Sequence, residues 1–403
     1  MREFCLDNAI KAVYVKNFET PRIALTINFS INDDEKLAGT YSLMTRLLLQ
    51  GTKKYNSEEL AEILDKNGIE IIADMKQDYL RFRLLCLNED FEMAVGILED
   101  IIKNSTFEEF DKEKIKMKGE LIAELDSARV KVSDAFIKTV YENHYYGHTY
   151  TKIIDCVDKI TKDDVIESFN KIIQTSKKVA AVAGSIEEAK VAGCLNKHFG
   201  NLPNVNNARK NIPIPQLNVP KTAEVIKADA QQAQILQGWL VPAFKTDEYP
   251  AILVINTILG ASGLSSRLFR ELREKKGLAY TVRTSCEVRE LSTLFSIYIA
   301  TEPSNIKTCL NGFKEEINKI KTFPIDDAEL KNAKNNIFGK HKLAVETNFQ
   351  QASSMAYWGI NNLPFDYYDC ILSKKIKDVT ARQVLECAAR YFSENSVTAL
   401  LHP

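Results

Sequence analysis

Residues Gly260 to Val282 read GASGLSSRLFRELREKKGLAYTV, and the rest of the chain is read outward from them. After the small-residue turn, Leu264, Leu268 and Leu272 recur every four residues, which predicts an amphipathic helix. Lys275 and Lys276 suit the negative end of the helix dipole, and Gly277 supplies a left-handed residue to end it. Leu278 to Val282 then reads as the start of a strand. Arg273 falls in the last helical turns and Tyr280 near the strand start, so one helix–glycine–strand corner can aim a guanidinium and a phenol at the same space. On these residues alone a surface arginine and a half-buried strand tyrosine is the plainer reading.

On either side the chain reads as two similar halves. Gln234 to Pro242 is a strand and Pro250 to Gly260 a helix, with a strand pair to Ala300 and a helix over Ile306 to Ile320 beyond the corner. The first half has strands at Ala12–Val15 and Ile23–Phe29, a helix over 37–50 ended by Gly51-Thr52, and a capped helix over 58–67. A strand pair (69–73, 79–88), helices at 91–103, 111–128, 134–142 and 162–175, the strand Lys178–Gly184 and a helix over 186–199 complete it. Thr106-Phe107 before an acidic helix start recurs 216 residues on as Thr322-Phe323. Residues 201–220 carry Pro203, Pro213, Pro215 and Pro220 with Asn204, Asn206 and Asn207, a linker composition. The expected domains are 1–200 and 221–403, each α+β, with an antiparallel-rich sheet packed by helices on one side.

At 403 residues two domains of roughly 200 residues are expected. Lys plus Arg is 53 against Asp plus Glu 54, so no charge excess points to nucleic acid or an anionic membrane. No apolar run reaches membrane-spanning length. Eight scattered cysteines without C-x-x-C, Cys86 and Cys387 among them in apolar-periodic segments, suit reduced core thiols and a cytoplasmic setting. A periplasmic one would need a signal sequence removed ahead of Met1.

The pattern S-R-L-F-x-E-L-R-E-x-x-G-L-A-Y, Ser266 to Tyr280, resembles the C-terminal half of pitrilysin/insulinase-type (inverzincin) metallopeptidases. The resemblance extends over nearly the whole chain and is strongest at 37–55 and 238–282. It implies a half-shell of two homologous α+β domains, in which residues matching Arg273 and Tyr280 hold the substrate and polarise its scissile carbonyl. It also implies that the glycine-rich loop with Gly260, Gly263 and Ser265 touches substrate or closes the chamber.

Catalytic chains of that family carry H-x-x-E-H on the first long helix, two zinc ligands and a general base, with a more distant Glu as third ligand. Counting back from Gly51, those positions hold Ser42, Thr45 and Arg46. A hydroxyl does not replace an imidazole on zinc, a threonine is no general base, and Arg46 brings a permanent positive charge. Glu124 best matches the distant Glu, with Glu120 one turn away, and a carboxylate at 124 or 120 is expected to pair with Arg46. Of five histidines, His144 and His148 have ligand spacing, but Tyr145, Tyr146 and Gly147 between them suggest a turn. The chain itself is therefore expected to hold no metal.

The resemblance is thus to the non-catalytic chain of small two-chain bacterial members, similar to α-type subunits of mitochondrial processing peptidase. It implies a homologous partner carrying H-x-x-E-H and zinc, a heterodimer, and peptides or unfolded segments as substrate. The alternative is a non-enzymatic scaffold or peptide-binding homodimer of the same fold.

Overall fold

The computed structural model describes residues 1–17, 19–205 and 212–403. Asn206 and Asn207 of the expected linker lie outside the described residues. Two compact units share the chain. The first takes Met1–Glu120, Lys152–Ile212 and Leu343–Tyr367, and the second takes Leu121–Thr151, Pro213–Lys342 and Tyr368–Pro403. The fold is α+β with one sheet per unit, and each half lends one helical segment to the other unit.

In the first unit β1 (Arg2–Cys5), β2 (Lys11–Lys16), β3 (Arg22–Ser30), β4 (Glu70–Met75), β5 (Tyr79–Leu87) and β6 (Lys178–Gly184) form a sheet in the order β1-β2-β6-β3-β5-β4. Every pair is antiparallel except β2 with β6. β6, KVAAVAG, is buried at each position, as a strand covered on both faces must be. Val179, Ala181 and Ala183 pack against Ala352, Met355, Ala356 and Ile360 of the helix Asn348–Ile360. Small residues allow that close approach: a Cβ on Gly359 would lie 2.8 Å from Val179 Cγ1. Helices of the sheet's own half, among them Phe91–Asn104 and Lys162–Thr175, pack on the sheet as well.

Lys178 is only 1% exposed. Its Nζ donates to Ile173 O at 2.8 Å and Ser176 O at 3.1 Å, at the carbonyl end of the helix Lys162–Thr175. Burial pushes its ammonium down to about 8. Between that value and the ordinary 10.5 the unfolded chain holds a proton that the folded chain has released, so stability rises with pH across this window. Urea unfolding from pH 7.5 to 10 is expected to show the native chain gaining stability relative to Lys178→Met as pH rises. Identical pH dependence in both would contradict the assignment to Lys178.

In the second unit β7 (Lys221–Ile226), β8 (Ala233–Val241), β9 (Ala279–Val288), β10 (Thr293–Thr301) and β11 (Val397–His402) run in the order β7-β11-β8-β10-β9. Only β11 with β7 is parallel. The helix Ala128–Val140, from the first half of the sequence, lays Val132, Phe136 and Val140 on Leu236, Leu294 and Leu401. A second core gathers Trp239, Phe295 and Phe392 with the helices Ile306–Thr322 and Ala381–Tyr391. The expected helices over 111–128 and 134–142 are instead Phe110–Leu125 and Ala128–Val140. The break comes at Asp126-Ser127, where Ser127 turns extended (ψ 122°) ahead of the new helix.

Cys86, Cys194, Cys309 and Cys387 are buried free thiols. Among the described residues no helix is long and apolar enough to cross a membrane.

Candidate functional site

In the first unit the helix Thr40–Leu47 carries Ser42, Thr45 and Arg46 at i, i+3 and i+4, on one face. Its start is held by Glu35, whose carboxylate accepts from Gly39 N at 2.8 Å and Tyr41 N at 2.7 Å, a negative charge at the positive helix end. Gly39 stands at φ 97°, a left-handed position that suits glycine. Thr45 Oγ1 donates back to Ser42 O at 2.9 Å, so its hydroxyl is engaged by its own helix.

Arg46 reaches the long helix Phe110–Leu125. Its Nη2 donates to Glu120 Oε2 at 2.6 Å, and Nη1 lies 3.8 Å from Glu113 Oε2. Glu120, not Glu124, is the partner; Glu124 lies near the Tyr150 phenol, whose pKa is raised first by burial and then by that carboxylate. Glu113, only 4% exposed, is a second carboxylate that the sequence reading missed. The arginine beside Glu120 holds that carboxyl below its usual range, first by the hydrogen bond and then by charge. A group depressed in this way stabilises the fold above its ordinary pKa and loses that contribution as pH falls through the depressed value. Carbon-detected NMR titration should show the Glu120 carboxyl moving up in Arg46→Met, and an unchanged value would contradict the contact.

Zinc, which the metallopeptidase pattern implies at this place, does not fit these residues. Two hydroxyls and a guanidinium offer no strong ligand, and the cation already neutralises the carboxylates a metal would need. Among the described residues no group of three or more His, Cys, Asp or Glu is arranged to hold a metal. His144, one of the pair with ligand spacing, uses Nδ1 to accept from Tyr146 N at 3.1 Å, capping the short turn Tyr145–Gly147.

In the second unit the organising helix departs from the sequence reading at its start. Leu268 and Leu272 are buried, but Leu264 is 71% exposed, in a separate 3-10 turn, Gly263–Ser265. From Phe269 to Lys275 the helix is wound in π register, wider than α by one residue per hydrogen-bonded turn. It is closed by Gly277 N donating to Arg273 O (3.1 Å) and Leu278 N to Leu272 O (2.8 Å), with Gly277 at φ 62° as expected.

Arg273 and Tyr280 do come together. The guanidinium carbon lies 4.8 Å from the Tyr280 ring centre and 4.5 Å from that of Phe269, sandwiched as a cation–π pair. Among the described residues no carboxylate pairs with that guanidinium. Tyr280 is 81% exposed at the start of β9, the edge strand of its sheet. A cation held by rings alone keeps all its N–H donors for a ligand, beside an open phenol.

The glycine-rich loop divides. Gly263 and Ser265 are exposed, but Gly260 is buried against β9, and a Cβ there would lie 2.4 Å from Thr284 N. Gly260 thus serves close packing, and only the other two face solvent.

These features define a class: two α+β units, one with a guanidinium–carboxylate cluster where the sequence pattern expects metal ligands, the other with an arginine stacked on an exposed tyrosine. Known proteins agree. The model described as Insulinase (Peptidase family M16) matches residues 13–156, and that of the Peptidase M16 inactive domain matches 159–337. The chain belongs to the insulinase family of peptidases, family M16. It is similar to the uncharacterized zinc protease YmxG of Bacillus subtilis, 24% identical over 410 residues, covering 100% of this chain and 98% of that one. It is also similar to the non-peptidase homolog YmxG of Helicobacter pylori, 22% identical over 399 residues, covering 96% and 90%. A solved protease from Helicobacter pylori shares the fold at a TM-score of 0.90, with 22% identity, covering 100% and 99% of the two chains. A peptidase M16 inactive domain from Pseudomonas fluorescens does so at 0.89, with 18% identity, covering 100% and 98%.

Proposed function

We propose that this chain is the substrate-binding, non-catalytic subunit of a two-chain zinc peptidase. It supplies Arg273 and Tyr280 to the zinc site of a homologous partner carrying H-x-x-E-H. The substrate is a peptide or an unfolded segment. When bound in that partner, zinc supplies a Lewis acid and an activated water. This chain contributes a guanidinium that anchors the peptide main chain and a phenol that donates to the scissile carbonyl oxygen.

One observation carries the reading: the asymmetry between the two units. The first has Ser42, Thr45 and Arg46 where a metal would be held, with Arg46 committed to Glu120. The second keeps an unpaired arginine against an exposed tyrosine. A protein used only as a scaffold has no need of a solvent-facing tyrosine stacked on a free guanidinium.

Affinity purification of the tagged chain from its native cells is expected to bring down a chain of similar length bearing H-x-x-E-H. Recovery of this chain alone, as a homodimer that binds peptides without cutting them, would favour the scaffold reading, which the name of the Helicobacter pylori non-peptidase homolog also suits.

A further inference from the structure

On the face of the second sheet that carries the helix Ala128–Val140, two arginines share one aromatic ring. The guanidinium carbon of Arg129, in the first turn of that helix, lies 5.4 Å from the ring centre of Tyr298 on β10. That of Arg283, directly across the ladder on β9, lies 5.6 Å from the same centre. Both arginines are exposed, and among the described residues no carboxylate pairs with either. The two cations can be no farther apart than the sum of those distances. That is close to one Debye length at about 0.1 M salt, so salt does not screen their repulsion away.

The surroundings offer no compensating charge. Arg283 is flanked on its face of β9 by Thr281 and Ser285, and Ser296 and Ala300 stand diagonally opposite on β10. Asp126, just ahead of the helix, is taken by Lys227 at 3.1 Å, and Asp229 by the same lysine at 2.9 Å. The Tyr298 hydroxyl donates to Gln234 Oε1 at 2.5 Å. The first unit shows the same arrangement neutralised. Its covering helix, Asn348–Ile360, sets Phe349 in its first turn, and the Arg83 guanidinium carbon on β5 lies 4.6 Å from that ring centre. There β4 supplies Asp74, which accepts from Arg81 across the ladder at 2.9 and 2.7 Å and lies 3.7 Å from Arg83. β9 holds the matching edge of the second sheet, but it brings a second cation to the ring and no carboxylate.

Each guanidinium presents a planar fork that a carboxylate meets with two hydrogen bonds. Two charges are too few for a nucleic-acid backbone, and Lys227, which would extend the patch, is already neutralised. β9 is an edge strand, and Arg283 lies three residues beyond Tyr280, about 10 Å along an extended chain. We infer that Arg129 and Arg283 form a specificity subsite for an acidic side chain of a bound peptide. That glutamate or aspartate lies a few residues from the one held at Tyr280. The inference rests on the peptide-binding reading above, but needs neither the partner nor cleavage, since every group named belongs to this chain.

The test is binding to the full chain alone, by fluorescence anisotropy, of two labelled peptides of one sequence. One carries glutamates and the other glutamines at the same positions. The glutamate peptide is expected to bind about tenfold or more tightly at low salt, the scale of one charge-assisted contact, and added salt should narrow the gap. Arg129→Gln combined with Arg283→Gln, both at exposed positions, should erase the preference. Arg270→Gln, which removes another exposed arginine of the same unit, should leave it intact. Equal binding of the two peptides, or binding of neither at millimolar concentration, would overturn the inference. So would a preference that survives the double variant, or one that Arg270→Gln abolishes as fully. Failure to recover an H-x-x-E-H-bearing partner strikes the two-chain reading and does not alter this measurement, so the two can fail separately.

Discussion

In a complex reconstituted with an H-x-x-E-H-bearing partner, Tyr280→Phe is expected to lower turnover about a hundredfold, with folding and assembly unchanged. The phenol is exposed and makes no contact that the fold needs, so removing its oxygen leaves the corner in place. What is lost is one preorganised donor to the carbonyl oxygen as negative charge develops there, a loss of roughly 3 kcal/mol. On the proposed reading Arg273→Ala removes an anchor of the substrate main chain, so its effect should fall mainly on KM. It also frees the Tyr280 ring from its cation–π partner, so a smaller effect on kcat should accompany it. Steady-state kinetics and sedimentation of both variants check this. Full activity of the double variant would mean that the corner is structural.

The second large effect concerns Gly260. A single methyl there would meet Thr284 N at 2.4 Å, a backbone atom of β9 that cannot turn aside, and the Thr284 side chain at 2.7 Å. Thr284 Oγ1 also donates to Asn256 O at 2.9 Å, tying the same strand to the helix that ends in the loop. Gly260→Ala is therefore expected to cost about 3 kcal/mol, the upper end of what overpacking costs, because a backbone atom is in the way. It should lower Tm by several degrees and displace the strand that carries Tyr280. Gly263→Ala is the control: its φ of 76° disfavours a side chain, but nothing lies within 4 Å of the new Cβ. Its cost should be about 1 kcal/mol, with no effect on the corner. If calorimetry finds the two substitutions equally mild, the packing of the loop on β9 is not as described.

The part of this architecture readable in the sequence is the part written in local chemistry. Gly277 after a basic helical end places the corner, and the structure keeps Gly277 left-handed and Arg273 on Tyr280. The recurrence of Thr-Phe before an acidic helix start also holds a side-chain parallel: Glu113 pairs with Arg46, and 216 residues on Glu329 pairs with Arg267. That recurrence was the available signal for Glu113, and helix periodicity from a distant Glu could not choose between Glu120 and Glu124.

Other features depend on contacts that no local pattern encodes. The helix Asn348–Ile360 has an evident apolar face in Ala352, Met355, Ala356, Gly359 and Ile360. Nothing in that face says that it covers β6, more than 160 residues earlier, rather than the sheet of its own half. The same holds for Ala128–Val140 on the other sheet. β11, six residues near the chain end with no strand in the sequence reading, sits inside its sheet between β7 and β8. The exposure of Leu264 was hidden because an i, i+4 leucine series looks the same whether its first member begins the helix or precedes it.

The central claim is that this chain completes a zinc site it does not own. The most direct measurement is hydrolysis of a quenched fluorescent peptide by this chain, by its H-x-x-E-H-bearing partner and by an equimolar mixture, each with and without chelator. The account predicts chelator-sensitive cleavage in the mixture and none in either chain alone. Full activity of the partner by itself, with rate and specificity unchanged when this chain is added, would contradict it.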